Sequence, residues 1–127
     1  MAKNMVSDAA TTLAGLRQTH LSQSIIYARD GRRVTLQASV GQTVFETVDE
    51  EGFALSVEAR DYVIDPADLI LDDLTITPQV GDTIRETQGD EVTVYEVIEP
   101  AGNPCFTYLG HRAQMRIHTH KIDTEEE

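Results

Sequence analysis

Several things are scarce in this chain, and each shortage narrows what it can be. There is one cysteine, Cys105, so an internal disulfide is impossible and no Cys-x-x-Cys pair exists. Basic residues are few: ten Lys and Arg stand against 22 Asp and Glu, for a net charge of −12. Without a basic stripe, and with a surplus of carboxylates repelling phosphate, direct binding to nucleic acid or to an anionic membrane is disfavoured. No stretch approaches the roughly 18 apolar residues that a membrane helix needs. Met1–Ala10 lacks the basic start and apolar run of a signal peptide, so the expectation is a protein made in a cytoplasm and kept there or assembled from there. There is no Gly-x-Ser-x-Gly elbow and no glycine-rich phosphate loop. Paired carboxylates such as Glu50-Glu51 fall in loops with no predictable pocket, which speaks against glycosidase chemistry. The expectation is a non-enzyme without a cofactor.

What is present fits one domain spanning 1–127, with 1–6 and 123–127 as flexible tails. Apolar residues make up 40% of the chain, enough for a core, so stability must come from burial or from partner subunits. The charge is unevenly spread. Residues 1–45 carry five basic and two acidic side chains, residues 46–100 two and sixteen, and residues 101–127 three and four. Such a split suits solubility, and it also suits contacts between copies, basic side to acidic side. The candidate interaction residues are therefore Arg17, Arg29, Arg32 and Arg33 on one side. On the other are Asp49, Glu50, Glu51, Asp65, Asp68, Asp72 and Asp73.

The pattern predicts one helix, Ser7 to about Gln18, capped by Ser7 and carrying Ala9, Leu13 and Leu16 as a narrow apolar stripe. From Ser24 the period becomes two. Ser24–Arg29 and Arg32–Val40 flank Asp30-Gly31, the preferred type I′ hairpin dipeptide. Val34, Leu36 and Ala38 form the buried side of the second strand. A third strand is expected over Gln42–Val48 and a fourth over Phe53–Ile64, with Phe53, Leu55, Val57 and Ala59 on one face. Asp65-Pro66 ends it, and Ala67–Leu71 is expected to make one helical turn. Short strands follow at Leu74–Thr77, Thr83–Thr87, Glu91–Ile98, Cys105–Leu109 and Gln114–His120. The fold class is mainly β: a small antiparallel barrel or sandwich of seven to eight strands with one N-terminal helix.

Three constellations invite chemistry. His118 and His120 are two apart in a strand and share a face, and His111 could join them across a hairpin as metal ligands of a β-barrel enzyme. Arg116 on that face repels a cation, and no carboxylate stands beside the pair in sequence, so the expectation is no metal. The run of aspartates from Asp61 to Asp73 departs from calcium-loop spacing and reads as a solvated acidic loop. Cys105 reads as a buried structural thiol.

The order of short motifs carries a resemblance. After the N-terminal helix come Tyr27-Ala28-Arg29-Asp30-Gly31, Arg60-Asp61-Tyr62-Val63-Ile64 and Ala67-Asp68-Leu69. Then follow Pro78-Gln79-Val80-Gly81-Asp82-Thr83-Ile84, Tyr95-Glu96-Val97 and Arg116-Ile117-His118-Thr119. This order resembles the head–tail joining, or head-closure, proteins of tailed phages, over about Ser7 to Ile122. The acidic middle and the Glu125-Glu126-Glu127 end depart from it. The resemblance implies a structural virion protein of the neck. Its subunits would form a homo-oligomeric ring, sixfold or twelvefold, between a portal or adaptor protein and the tail. The ring would line a channel for genomic DNA without sequence-specific binding. A tail-terminator or tail-completion role is the nearby alternative.

Overall fold

The computed structural model describes residues 22–126. The helix expected over Ser7–Gln18, Arg17 within it, and the tails 1–6 and 127 lie outside the described residues. Nine strands follow in order: β1 (Ser22–Arg29), β2 (Arg32–Val48), β3 (Ala54–Ile64), β4 (Ile70–Leu71), β5 (Leu74–Thr75), β6 (Thr83–Gln88), β7 (Glu91–Val97), β8 (Phe106–Leu109) and β9 (Gln114–Glu126). Seven of them make one antiparallel sheet in the order β3-β2-β1-β6-β7-β9-β8, while β4 and β5 pair separately. β3 also pairs with β9, Arg60 opposite Thr119 through Ile64 opposite Met115. The pairings β1-β2-β3-β9-β7-β6 and back to β1 thus form a closed circuit, which leaves those strands without an open edge over that stretch.

Alternation explains the inside of this circuit. Ile25 and Tyr27 of β1, Leu36 and Ala38 of β2, Tyr62 and Ile64 of β3, Ile84 of β6, Val97 of β7, and Met115 and Ile117 of β9 form one buried cluster. Each large apolar side chain so buried contributes about 1.5–3 kcal/mol. Pro66–Asp68 forms a single 3₁₀ turn, capped by Asp65, whose carboxylate accepts from the backbone N–H of Ala67.

The expected hairpin at Asp30-Gly31 is present, with Ser22–Arg29 paired against Arg32–Ser39. Both turn residues have positive φ, +53° at Asp30 and +82° at Gly31, as that turn demands. Three expectations are corrected. The second and third strands are one 17-residue strand, β2, because β3 pairs continuously across Gly41 and no turn interrupts it. Ala67–Leu71 splits between the 3₁₀ turn and β4, which closes on β5 over Asp72 and Asp73, both at positive φ. β9 does not stop at His120. It runs to Glu126, with Asp123, Thr124 and Glu125 opposite Val94, Thr93 and Val92. The face expected to carry Phe53, Leu55, Val57 and Ala59 is covered at one end alone: Phe53 is 66% and Leu55 46% exposed, whereas Ala59 is buried.

That last difference has a geometric cause. Among the described residues, which begin at Ser22, β1 pairs with β2 as far as Ser39, and β9 pairs with β3 as far as Arg60. Beyond those points, among the described residues, Thr43–Val48 and Ala54–Ala59 pair with each other alone, from Thr43 opposite Ala59 to Val48 opposite Ala54. Six residue pairs at strand spacing make a ribbon about 20 Å long. This arm ends in Asp49-Glu50-Glu51-Gly52, where the Asp49 carboxylate accepts from the backbone N–H groups of Glu51 and Phe53.

Candidate functional site

Three buried carboxylates organise the polar interior. Asp82, just before β6, and Ile84 and Glu86 within it stand at alternate positions, all three buried, so an apolar residue is flanked by an acid on either side. Each acid is met by a Tyr and an Arg two residues apart on one strand, the paired strand β1 for Asp82 and the non-adjacent strand β3 for Glu86, and that spacing points both side chains toward the same face. Tyr27 donates its hydroxyl to Asp82, and Arg29 donates from Nε at 2.9 Å and Nη2 at 2.8 Å. The Asp82 carboxylate also accepts from the backbone N–H of Gln79, tying down the turn before β6. Glu86 accepts from the Tyr62 hydroxyl at 2.6 Å, from Arg60 Nη2 at 2.7 and 2.8 Å, and from Gln88 Nε2 at 2.7 Å.

The third acid, Asp61, faces the other side of β3, at the root of the arm. Asp61 is fully buried and accepts from His118 Nδ1 at 2.7 Å and Arg116 Nε at 2.6 Å, and from the Thr43 hydroxyl. Phe45 stands edge-on to the His118 ring, 5.0 Å between centroids. Gly41 lies opposite Asp61 in the β2–β3 ladder, and a Cβ there would come within 3.2 Å of the Arg116 guanidinium. The junction between arm and body is therefore built from β2, β3 and β9 together.

The electrostatics follow from burial and partners. Burial raises the Asp61 carboxyl, but hydrogen bonds from His118, Thr43 and Arg116 outweigh it and hold the group below the usual carboxylate range. Glu86 is held low in the same way by Tyr62, Arg60, Gln23 and Gln88. Burial and the neighbouring acids push the Tyr27 and Tyr62 hydroxyls well up, so both stay protonated donors. Burial likewise raises the Cys105 thiol, which sits against the Pro78 carbonyl at 3.6 Å. Arginine-neutralised carboxylates and protonated tyrosines are poor acid–base catalysts; this arrangement locks strands together.

The candidate residues from the sequence sort differently. His118 is spent on Asp61, His120 lies 3.3 Å from Glu96, and His111 sits exposed in a turn at positive φ. Among the described residues no group of three metal-ligating side chains comes together. Asp61 supplies the carboxylate beside His118 that sequence adjacency could not show. Arg29 is committed to Asp82, and Arg32 bonds Asp72 at 2.7 Å within the same chain, so two residues assigned to opposite interaction sides meet each other. Arg33 is exposed, Asp65 caps its turn, Asp68 and Asp73 are exposed, and Asp49, Glu50 and Glu51 occupy the arm tip. Asp82 and Glu86 were missed, although a signal existed: both lie on the inward phase of Ile84, where a carboxylate needs a partner.

The family model of the phage head-tail joining protein matches residues 3–126. The chain belongs to this family. A joining protein is a structural component of the virion, acting between head and tail proteins, and the β-rich fold agrees with the earlier resemblance. No curated protein and no solved structure matched the chain. For this joining protein, the three ion-paired clusters are framework, and the functional surface is to be sought among what they hold outward: the arm, the acidic turns and the recess beside Arg29. None of the described helices is long and apolar enough to cross a membrane.

Proposed function

We propose that this joining protein is a ring-forming neck subunit that closes the head beneath the portal and lines the DNA channel. The family match over residues 3–126 is the observation that carries the reading. Several features support it. The closed strand circuit is a small barrel, a rigid unit suited to repetition around an axis. The subunit has a net charge of −12, with Asp65, Asp68, Asp72 and Asp73 in exposed turns. Acidic walls repel duplex phosphate, so a genome can pass without adhering. A ring at this position takes sixfold or twelvefold symmetry, meets portal or adaptor on one side and tail on the other, and is filled by subunits made in the host cytoplasm.

The test is a phage carrying a null allele of the gene, grown with and without a complementing copy. The expected phenotype is packaged heads and finished tails that stay separate, with cryo-electron microscopy of complemented particles showing the subunit as a ring in the neck. Normal joined virions in the absence of the protein would sink the reading.

A further inference from the structure

The arm leaves apolar side chains in water that a lone domain has no use for. Val48 is 64% and Phe53 66% exposed at its tip, beside Glu50 and Glu51. A two-stranded ribbon is marginal by itself in water, and an apolar tip at its end is the mark of a contact surface. Elsewhere on the body lies an open recess of about 430 Å³, formed by the β1–β2 turn, the turn before β6 and the start of β6. Its lining includes Arg29, Arg33, Arg85 and Val80. Three of the eight basic side chains in the described residues meet there. The acids of the lining are Asp82, buried beneath Arg29, and Asp30. Val80, 56% exposed, gives the recess an apolar rim.

We infer that the arm tip of one copy docks in the Arg29–Arg33–Arg85 recess of a second copy, joining neighbours head to tail. Tip and recess match in chemistry: two glutamates beside Val48 and Phe53 on one, an arginine-rich floor beside Val80 on the other. Asp49 does not take part, since its carboxylate is used to close the tip turn. Tip and recess are different patches, so the contact is heterologous, the kind that closes into a ring when the rotation permits. A reach of about 20 Å lets the arm cross onto a neighbour. The inference rests on the ring reading above and specifies the contact that would make it.

The experiment measures assembly of the full-length chain by sedimentation velocity across a concentration series, for four samples. The wild type should oligomerise. Arg33→Glu alone and the pair Glu50→Lys with Glu51→Lys should each raise the concentration of half-assembly at least tenfold, with unchanged circular dichroism and thermal midpoint. Mixing the two variant proteins should restore assembly, because each altered tip then meets an oppositely charged recess. Oligomers untouched by either variant, or a mixture no better than its parts, would overturn this contact while leaving the ring reading intact. A wild type monomeric at every concentration would remove both. Portal binding lost by the tip variant while self-assembly persists would transfer the arm's partner to the portal and likewise overturn the contact.

Discussion

β2 and β3 lead two lives along their length. Toward the Asp30-Gly31 end they belong to the body, where β2 has β1 and β3 as neighbours and Leu36, Ala38, Tyr62 and Ile64 are sealed from water. Toward the Asp49–Gly52 end they form the arm, where among the described residues each pairs only with the other and Val44, Val48, Phe53 and Leu55 are exposed. In β3 apolar residues recur in both halves, Leu55, Val57 and Ala59 in the arm and Tyr62 and Ile64 in the body, while in the arm of β2 Val44 and Val48 remain on the inward phase with Gln42 and Glu46 between them. Periodicity therefore assigns residues to a face. Whether that face is covered depends on where the third strand stops, and that is a property of the circuit rather than of β2 or β3.

The comparison breaks most sharply at the junction. Asp61→Ala strips Arg116, His118 and Thr43 of a shared acceptor, and the expected loss is about 3 kcal/mol in urea unfolding, as for removing one member of a buried ion pair. A loss below about 1 kcal/mol would mean that arm and body are not coupled through this cluster. Acid should weaken the body next. Asp61 and Glu86 are held below the usual carboxylate range, so their contribution is complete above about pH 4 and is lost as pH falls through their own lower values. The urea midpoint should be level from pH 7 to 5 and fall by pH 3; a level profile down to pH 3 would contradict the assigned shifts. Tyr62→Phe removes one donor to Glu86 and should cost about 1 kcal/mol. Smallest of all, Phe53→Ser with Leu55→Ser should change the stability of the isolated chain by less than about 0.5 kcal/mol per residue, because both side chains already face water. A loss as large as at Asp61 would show that the arm folds back on the body in solution.

How much of this was legible beforehand varies by feature for physical reasons. The Asp30-Gly31 hairpin was readable because its turn chemistry is local. The inward phase Val34-Leu36-Ala38 was readable because period two is local as well. The continuity of β2 through Gly41 was not, since it depends on pairing with residues about 20 positions later. His118 and Asp61 are 57 residues apart, so no inspection of neighbours could join them. Arg32 and Asp72 show the opposite hazard: sorting charges by sign and sequence position assigned them to different surfaces, whereas folding places them in one ion pair. The C-terminal acids read as a solvated tail because they lack apolar alternation, yet β7 offers them a ladder whose hydrogen bonds do not depend on side-chain type.

Cys105 gives this molecule a built-in reporter. It is the sole thiol in 127 residues, 8% exposed, at the threshold of β8 and against the Pro78 carbonyl. A thiol reagent reaches it only when that corner of the body opens, so its labelling rate times the breathing of the native sheet with no competing signal. The same solitude makes the surface a clean canvas for chemistry. A cysteine introduced at the arm tip and another in the recess would be the two accessible thiols, and a covalent ladder of subunits formed between them could be counted, band by band, on a gel.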